Sequence, residues 1–205
     1  MSAQLRTRLS PELRKQQLLD AAISVFARRG LGRAAHADIA EETGVSVPTV
    51  FNYFKTREDL VAAVLTAIEN HFLDLAISCH QAEDAKRNPL ETMQRHSLTF
   101  LQQAQLQPEI VKIWLEWSAS VREDTWPRYM AFQEKILDIV EPTLQAGLDS
   151  GQMRAQLSAR DLARILFGQA HPITLSTFAP NPPIADMVRF VQLGMYAFLG
   201  IQDQQ

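Results

Sequence analysis

Five side chains that can form hydrogen bonds lie close together in this 205-residue chain, namely Ser46, Thr49, Asn52, Tyr53 and Lys55. An amide such as that of Asn52 can donate to and accept from the edge of a base, and it suits adenine well. The hydroxyls of Thr49 and Tyr53 and the ammonium group of Lys55 are better suited to phosphate oxygens. The set therefore predicts contacts with a DNA duplex, although Tyr53 could instead be a core aromatic.

Two short helices joined by a tight turn must position these side chains, and residues 36–60 have the required pattern. Ile39 and Ala40 mark the buried side of the first helix. Gly44 follows where the turn needs a backbone with φ > 0. Ser46 is a good N-cap for the second helix. The pattern predicts a helix-turn-helix followed at once by a third helix.

The second of these helices has a predicted buried face and a predicted outward face. The buried face is formed by residues at helical spacing, Val47, Val50 and Phe54. The outward face is formed by Thr49, Asn52 and Tyr53. Such a helix suits the major groove, where Val47 and Pro48 could also touch a thymine methyl group. A helical hairpin without a role in DNA binding is the alternative.

The N-terminal part of the chain is basic, whereas the remainder is acidic. Residues 1–35 carry a local charge of +5 within a total of −3, which leaves −8 for the rest. A basic head suggests a polyanionic partner, and the alternative is a solvated basic face. Arg6 and Arg8 could reach into a narrow, A/T-rich minor groove, or they could form a basic tail that adds nonspecific affinity. Residues 11–29 predict a preceding amphipathic helix, with one face formed by Leu19, Ala22, Ile23 and Phe26.

The chain after residue 55 is predicted to be helical throughout, which makes the fold class all-α. A long helix is expected from Thr56, with Asp59 three residues later as a capping partner. Another begins at Asn88-Pro89, and Ser158 with Asp161 starts the penultimate one. We predict a DNA-binding domain over residues 1–55 and a regulatory and dimerisation domain over residues 56–205, with about nine helices in all.

Other function classes lack their sequence signals. We find no apolar run near the roughly 20 residues that span a membrane, and no apolar signal segment, so the protein is expected in the cytoplasm. The sequence has no glycine-rich phosphate loop, GxSxG or HExxH, which disfavours an enzyme. The lone Cys79 excludes an intramolecular disulfide. We interpret His71, His80 and His96 as surface or capping residues, and we expect neither a metal nor a cofactor.

Several segments together resemble the TetR family of dimeric transcription regulators, above all TVFNYF (49–54) followed by TREDL (56–60). The sequence is most similar to the LuxR/HapR/SmcR branch of quorum-sensing master regulators. That similarity is carried by RTRLSP (6–11), VFARRGLGR (25–33), HADIAEETGVSVPTVFNYF (36–54) and WLEWSASVREDTWP (114–127).

The resemblance implies both partners and sites. It implies a homodimer formed through the last two helices, at about 158–176 and 184–202. It implies that the N-terminal arm enters the minor groove of degenerate, near-palindromic operators. It also implies a cavity for a small apolar ligand lined by Phe72, Trp114, Tyr129, Gln133 and Ala170, each of which could instead be ordinary core.

Some residues depart from the branch. Pro48 and Lys55 stand where relatives tend to have Ala and Pro, and residues 168–178 differ clearly. We predict a LuxR-like global regulator, acting as activator or repressor, that binds A/T-rich near-palindromic DNA as a dimer. One alternative is a local, ligand-responsive repressor of the same family, for example of efflux or metabolic genes. Another is a helical adaptor whose basic head binds an acidic protein.

Overall fold

The structure is a computed structural model that describes residues 9–82 and 84–200. Within these ranges the chain forms α-helices and no strand, which confirms the predicted all-α class. The helices are α1 (Pro11–Arg29), α2 (His36–Thr43), α3 (Val47–Tyr53), α4 (Arg57–His80), α5 (Pro89–Leu106), α6 (Pro108–Ala119), α7 (Trp126–Asp149), α8 (Ala159–Thr177) and α9 (Ile184–Leu199).

The chain divides into two compact units within the long helix α4. The first unit ends at Ile68 and the second begins at Glu69. The sequence-based boundary after residue 55 instead marks the point where α4 begins. The difference arises because a change of helix leaves capping signals in the sequence, whereas a boundary inside a continuous helix leaves none.

Side-chain caps are found at several helix starts, whereas Asn88 before α5 forms no side-chain cap hydrogen bond. In α1 the Ser10 hydroxyl accepts a hydrogen bond from the Leu13 N–H at 3.2 Å. At the start of α4, the Thr56 N–H donates to the Asp59 carboxylate at 3.0 Å and the Asp59 N–H donates to the Thr56 hydroxyl at 3.0 Å. These reciprocal bonds satisfy two backbone donors that the helix cannot satisfy itself. The expected capping box at α4 is therefore confirmed.

The core of the N-terminal unit is formed where α1, α2 and α3 pack together with the first turns of α4. On α1 the fully buried residues are Leu18, Ala22, Val25 and Phe26. The predicted face is thus correct for Ala22 and Phe26, whereas Leu19 and Ile23 are only half-buried. The buried face includes Leu18 and Val25 in place of Leu19 and Ile23. Both sets of residues satisfy helical spacing, so packing against the other helices decides which set is buried.

The C-terminal unit is built around large aromatic and aliphatic side chains. Trp114 and Trp117 of α6 are fully buried, as are Phe132, Leu137 and Leu144 of α7. The bidentate ion pair of Arg128 with Glu69 joins α7 to α4, with distances of 2.8 Å from Nε to Oε1 and 3.0 Å from Nη2 to Oε2. Such geometry fixes the two helices in register because both carboxylate oxygens are engaged.

One described helix, α4, is long and apolar enough to cross a membrane by length and composition alone. No uninterrupted apolar run marks this helix in the sequence, because polar residues are scattered along α4. Its buried residues, among them Leu60, Val64, Ile68 and Leu75, recur at spacings of four and seven residues. This periodicity is that of a helix packed along one side in a protein core.

Candidate nucleic-acid interface and ligand cavity

The turn between α2 and α3 has the geometry that the sequence predicts. Gly44 has φ 64° and ψ 30°, which is the left-handed conformation that glycine adopts without strain. The Ser46 hydroxyl accepts a hydrogen bond from the Thr49 N–H at 3.3 Å and lies 2.8 Å from the Thr49 hydroxyl. Ser46 therefore caps α3, and Pro48 lies in its first turn.

The exposed residues of α3 are Val47, Pro48, Phe51 and Asn52, and Lys55 is exposed just beyond the C-terminal end of this helix. The four helix residues follow one another at intervals of one, three and one positions, which is the spacing of a single helix face. The opposite face is anchored by Val50 and Phe54, which are buried. Asn52 therefore faces outward from a helix that is anchored on its other side.

Two residues of α3 differ from the predicted pattern. Val47 was expected on the buried face, but it is 37% exposed. It lies in the first turn, where no preceding helix residues cover it, and this exposure suits the alternative role of contacting a thymine methyl group. Thr49 and Tyr53 were expected to face outward and are half-buried. They lie at the edges of the exposed face, which is where phosphate contacts occur when a helix enters a groove.

Sequence reasoning missed Phe51, which is 44% exposed on the same face as Asn52. Its ring stacks on His36 of α2, with centroids 4.0 Å apart and planes 4° from parallel. The buried His36 ring also forms a 2.8 Å hydrogen bond between Nε2 and the Phe54 carbonyl oxygen at the end of α3. His36 therefore holds α3 at two points. The available signal was the position of Phe51 next to Asn52, which was predicted to face outward.

Two of the basic residues at the end of α1 form ion pairs with residues of α2. Arg28 pairs with Glu42 at 2.6 Å, and Arg29 pairs with Asp38 at 3.2 Å. Both arginine side chains are more than half exposed, so water screens these pairs and they contribute little to stability. The predicted minor-groove residues Arg6 and Arg8 lie outside the described residues.

The C-terminal unit contains an apolar cavity of about 100 Å³. Of the residues that the resemblance places at such a cavity, Phe72, Trp114 and Ala170 line it. Its wall includes Leu75, Met93, Phe100, Phe132, Ile136, Leu137, Val140, Ala163, Leu166, Phe167, Ile173, Val191 and Met195. His96, Ser97 and Gln169 are the polar members of the wall. The cavity can therefore accept an apolar body together with a polar group.

Tyr129 and Gln133 do not line this cavity, in contrast to the expectation from the resemblance. Tyr129 packs instead against Trp117 and Trp126, with ring centroids 5.3 Å away in each case. Burial in this cluster raises the pKa of Tyr129 to about 12. The α7 residues at the cavity begin one turn later, at Phe132, and Gln133 is directed away because adjacent helix residues differ by about 100° in direction.

Two histidines form a chain of hydrogen bonds beside the cavity. His80 Nδ1 lies 2.9 Å from the Thr143 hydroxyl, and His80 Nε2 lies 2.8 Å from His96 Nδ1. The interpretation of His80 as a surface residue is therefore wrong, since it is 5% exposed. Burial lowers the pKa of His80 to about 3, with nearby His96 and Arg95 adding to the effect, and burial lowers the pKa of His96 to about 4. Both rings are neutral at physiological pH.

Buried neutral histidines make stability depend on pH. The unfolded chain binds protons at these rings near pH 6.5, whereas the folded chain does so only near pH 3 to 4. Above pH 6.5 these rings therefore do not lower the free energy of unfolding. Below pH 6.5 each ring lowers the free energy of unfolding by about 1.4 kcal/mol per pH unit, until the pH reaches the pKa of that ring in the folded state. We expect urea unfolding at about pH 5 to give a clearly lower free energy than at about pH 7. His96→Gln should lose part of this dependence, and an equal pH dependence in the variant would refute the assignment.

Histidine, cysteine and carboxylate side chains are dispersed within residues 9–82 and 84–200. Within those ranges no group of three or more His, Cys, Asp or Glu side chains is placed to hold a metal ion. Cys79 is a buried, free cysteine. Its backbone carbonyl oxygen accepts a hydrogen bond from the Arg95 guanidinium at 3.1 Å. The features with functional geometry are therefore the exposed face of α3 and the cavity.

The chain is similar to known bacterial transcriptional regulators. A family model described as bacterial regulatory proteins of the tetR family matches residues 18–64. The chain is 38% identical over 168 residues to the HTH-type transcriptional regulator LuxR of Vibrio harveyi, covering 82% of this chain and 80% of that protein. A TetR transcription regulator from Haloarcula marismortui superposes with a TM-score of 0.73 at 19% identity, covering 92% of this chain and 97% of the other.

A second solved structure is similar in fold and has a ligand. It is a putative transcriptional regulator from Saccharomonospora viridis in complex with choline, with a TM-score of 0.75 and 19% identity. The match covers 90% of this chain and 96% of the other. At such identity the likeness concerns the fold alone.

Proposed function

Because the chain belongs to the TetR family of transcriptional regulators, we propose that it binds A/T-rich, near-palindromic DNA as a homodimer and regulates genes as LuxR-like proteins do. Its role is regulatory rather than enzymatic, and its place is the cytoplasm. The observation that carries the proposal is the exposed face of α3, on which Asn52 lies between apolar and cationic neighbours. Asn52 reads a base, Val47, Pro48 and Phe51 meet methyl groups, and Lys55 meets a phosphate.

The homodimer is proposed to form through α8 and α9. The side of α9 opposite its buried residues carries Phe190 and Leu193, which are 55% and 50% exposed. Leu175 on α8 is 57% exposed, and a Cβ atom placed on Gly168 would meet nothing within 4 Å. Large exposed apolar side chains grouped on two helices are typical of a surface that another protein covers. The two-fold symmetry of such a dimer matches the two halves of a palindrome.

The N-terminal arm is proposed to add contacts in the minor groove. We expect that removal of residues 1–9 leaves folding and dimerisation unchanged and lowers DNA affinity, since Arg6 and Arg8 are lost. Each lost phosphate-type contact should reduce the slope of log affinity against log salt concentration by about 0.9. Titrations at several salt concentrations measure this slope. An unchanged affinity and slope would show that the arm does not touch DNA.

The cavity supports a second element of the proposal, which is modulation by a small ligand. An apolar ligand that prefers one arrangement of the protein shifts its population, whereas equal affinity for all arrangements shifts nothing. The alternative of a local, ligand-responsive repressor shares this element and differs only in the number of genes controlled. The alternative of an adaptor that binds an acidic protein is less favoured. A surface that binds an acidic partner requires exposed cations, whereas the exposed residues of α3 are Asn52 and apolar neighbours.

A mobility-shift experiment tests the proposal. The full chain is titrated into an A/T-rich palindromic duplex and into a scrambled duplex of the same composition, at the same salt concentration. We expect the palindrome to bind more than about a thousandfold more tightly, as specific sites generally do. Equal affinity for the two duplexes would leave only nonspecific binding and would refute the proposed function.

A further inference from the structure

The polar part of the cavity wall is small and contains no charged side chain among the residues that line it. Those residues are apolar or aromatic except for His96, Ser97 and Gln169. A buried charge without a partner is costly, because neither water nor an opposite charge compensates its lost hydration. Arg95, which is adjacent to His96 in sequence, pairs with Asp84 at 3.7 Å, and neither of these residues lines the cavity. The wall therefore favours an uncharged ligand.

One end of the histidine chain is at the cavity. His80 is enclosed, since one ring nitrogen faces the Thr143 hydroxyl and the other faces His96. His96 lines the cavity and uses Nδ1 for His80, so that Nε2 is the ring nitrogen left for a ligand. Within the described part of the chain, no hydrogen bond is found for this Nε2. A ring nitrogen without a protein partner at a cavity wall is suited to pair with a ligand's polar group.

The chain of hydrogen bonds can run in either direction. If the Thr143 hydroxyl donates to His80, then His80 donates to His96 Nδ1, and His96 Nε2 is protonated and donates. If His80 donates to Thr143, the order reverses and His96 Nε2 becomes an acceptor. A hydroxyl permits both arrangements because it can donate and accept, and each neutral imidazole has one nitrogen of each kind. Burial lowers the pKa of both rings, which keeps the chain uncharged in either direction.

We propose that His96 is the polar anchor of the cavity, at which Nε2 binds the single hydroxyl, amide or carbonyl group of an otherwise apolar, uncharged ligand. His80 and Thr143 are positioning residues that let this anchor donate or accept. The inference rests on the proposed ligand modulation and specifies its chemistry. A carboxylate or a cation of similar size is excluded, since the cavity offers it no opposite charge.

Three compounds of one shape test the proposal by calorimetry on the full chain without DNA, at neutral pH. They are 4-ethylphenol, ethylbenzene and 4-ethylbenzoate. We expect 4-ethylphenol to bind roughly two- to tenfold more tightly than ethylbenzene, the range of one net hydrogen bond. We expect 4-ethylbenzoate to bind at least tenfold more weakly than 4-ethylphenol. In His96→Leu the preference for 4-ethylphenol over ethylbenzene should be lost, because the imidazole that pairs with the hydroxyl is then absent.

Control variants separate the anchor from the fold. Ethylbenzene binding reports an intact cavity in His96→Leu, and His96→Gln should restore a preference for 4-ethylphenol because its amide can donate and accept. His71→Gln changes a half-buried histidine that does not line the cavity and should keep the wild-type order. An unchanged order in His96→Leu, equal binding of the benzoate, or no binding of any compound would overturn the inference. None of these outcomes bears on DNA binding, which the mobility shift measures separately.

Discussion

Replacing Asn52 with alanine is expected to abolish most of the preference for operator DNA while leaving nonspecific binding nearly intact. One bidentate amide contact to a base is worth about 1–3 kcal/mol, and a two-fold dimer makes it twice. The wild-type helix should persist, because Asn52 is exposed and α3 is anchored through Val50 and Phe54. Titration of both proteins with cognate and scrambled duplexes measures the loss.

Lys55→Ala is the matched control for Asn52→Ala, since it removes a neighbouring exposed side chain that is assigned to phosphate. We expect Lys55→Ala to weaken binding to both duplexes by a similar factor and to flatten the salt dependence. Asn52→Ala should leave that salt dependence unchanged. If Asn52→Ala weakened both duplexes equally, Asn52 would belong with the phosphate contacts and another residue would read the bases.

Introducing a carboxylate at Leu193 is expected to convert the protein into a monomer. Leu193 is half exposed in the single chain and would be covered in the proposed dimer, so Leu193→Asp would bury two unpaired charges across the two-fold axis. Each buried charge costs several kcal/mol, which exceeds what most protein interfaces can lose. Operator affinity should fall by more than about a hundredfold, because a monomer reaches only one half-site.

Leu106→Asp is the control for Leu193→Asp. Leu106 is 66% exposed at the end of α5 and lies outside the proposed interface. Sedimentation and thermal unfolding of both variants separate loss of the dimer from loss of the fold. A dimeric Leu193→Asp protein with normal operator affinity would show that another surface joins the subunits.

Local chemistry made much of the fold predictable. Ser46, Gly44 and the pair Thr56 and Asp59 mark helix ends through hydrogen bonds within four residues, so their role is visible in sequence. The exact buried stripe of α1 was less accessible. Helical spacing allows neighbouring stripes, and only packing against other helices selects Leu18.

Contacts between residues distant in sequence could not be predicted. His80, His96 and Thr143 meet because three helices pack together, and no spacing along the chain encodes their hydrogen bonds. Similarly, the stacking of Phe51 on His36 depends on the crossing of α2 and α3. Family resemblance placed Phe72, Trp114 and Ala170 at the cavity but did not anticipate that Tyr129 would pack into a separate aromatic cluster.

Selection of bound sequences from a pool of randomised duplexes tests most directly whether this protein reads DNA as a symmetric dimer. The wild-type chain should enrich an A/T-rich sequence whose two halves are related by a two-fold axis and centred about one helical turn, or a multiple of it, apart. Asn52→Ala should enrich no sequence strongly. Recovery of an unbiased pool by the wild-type protein, or of a motif without two-fold symmetry, would contradict the account.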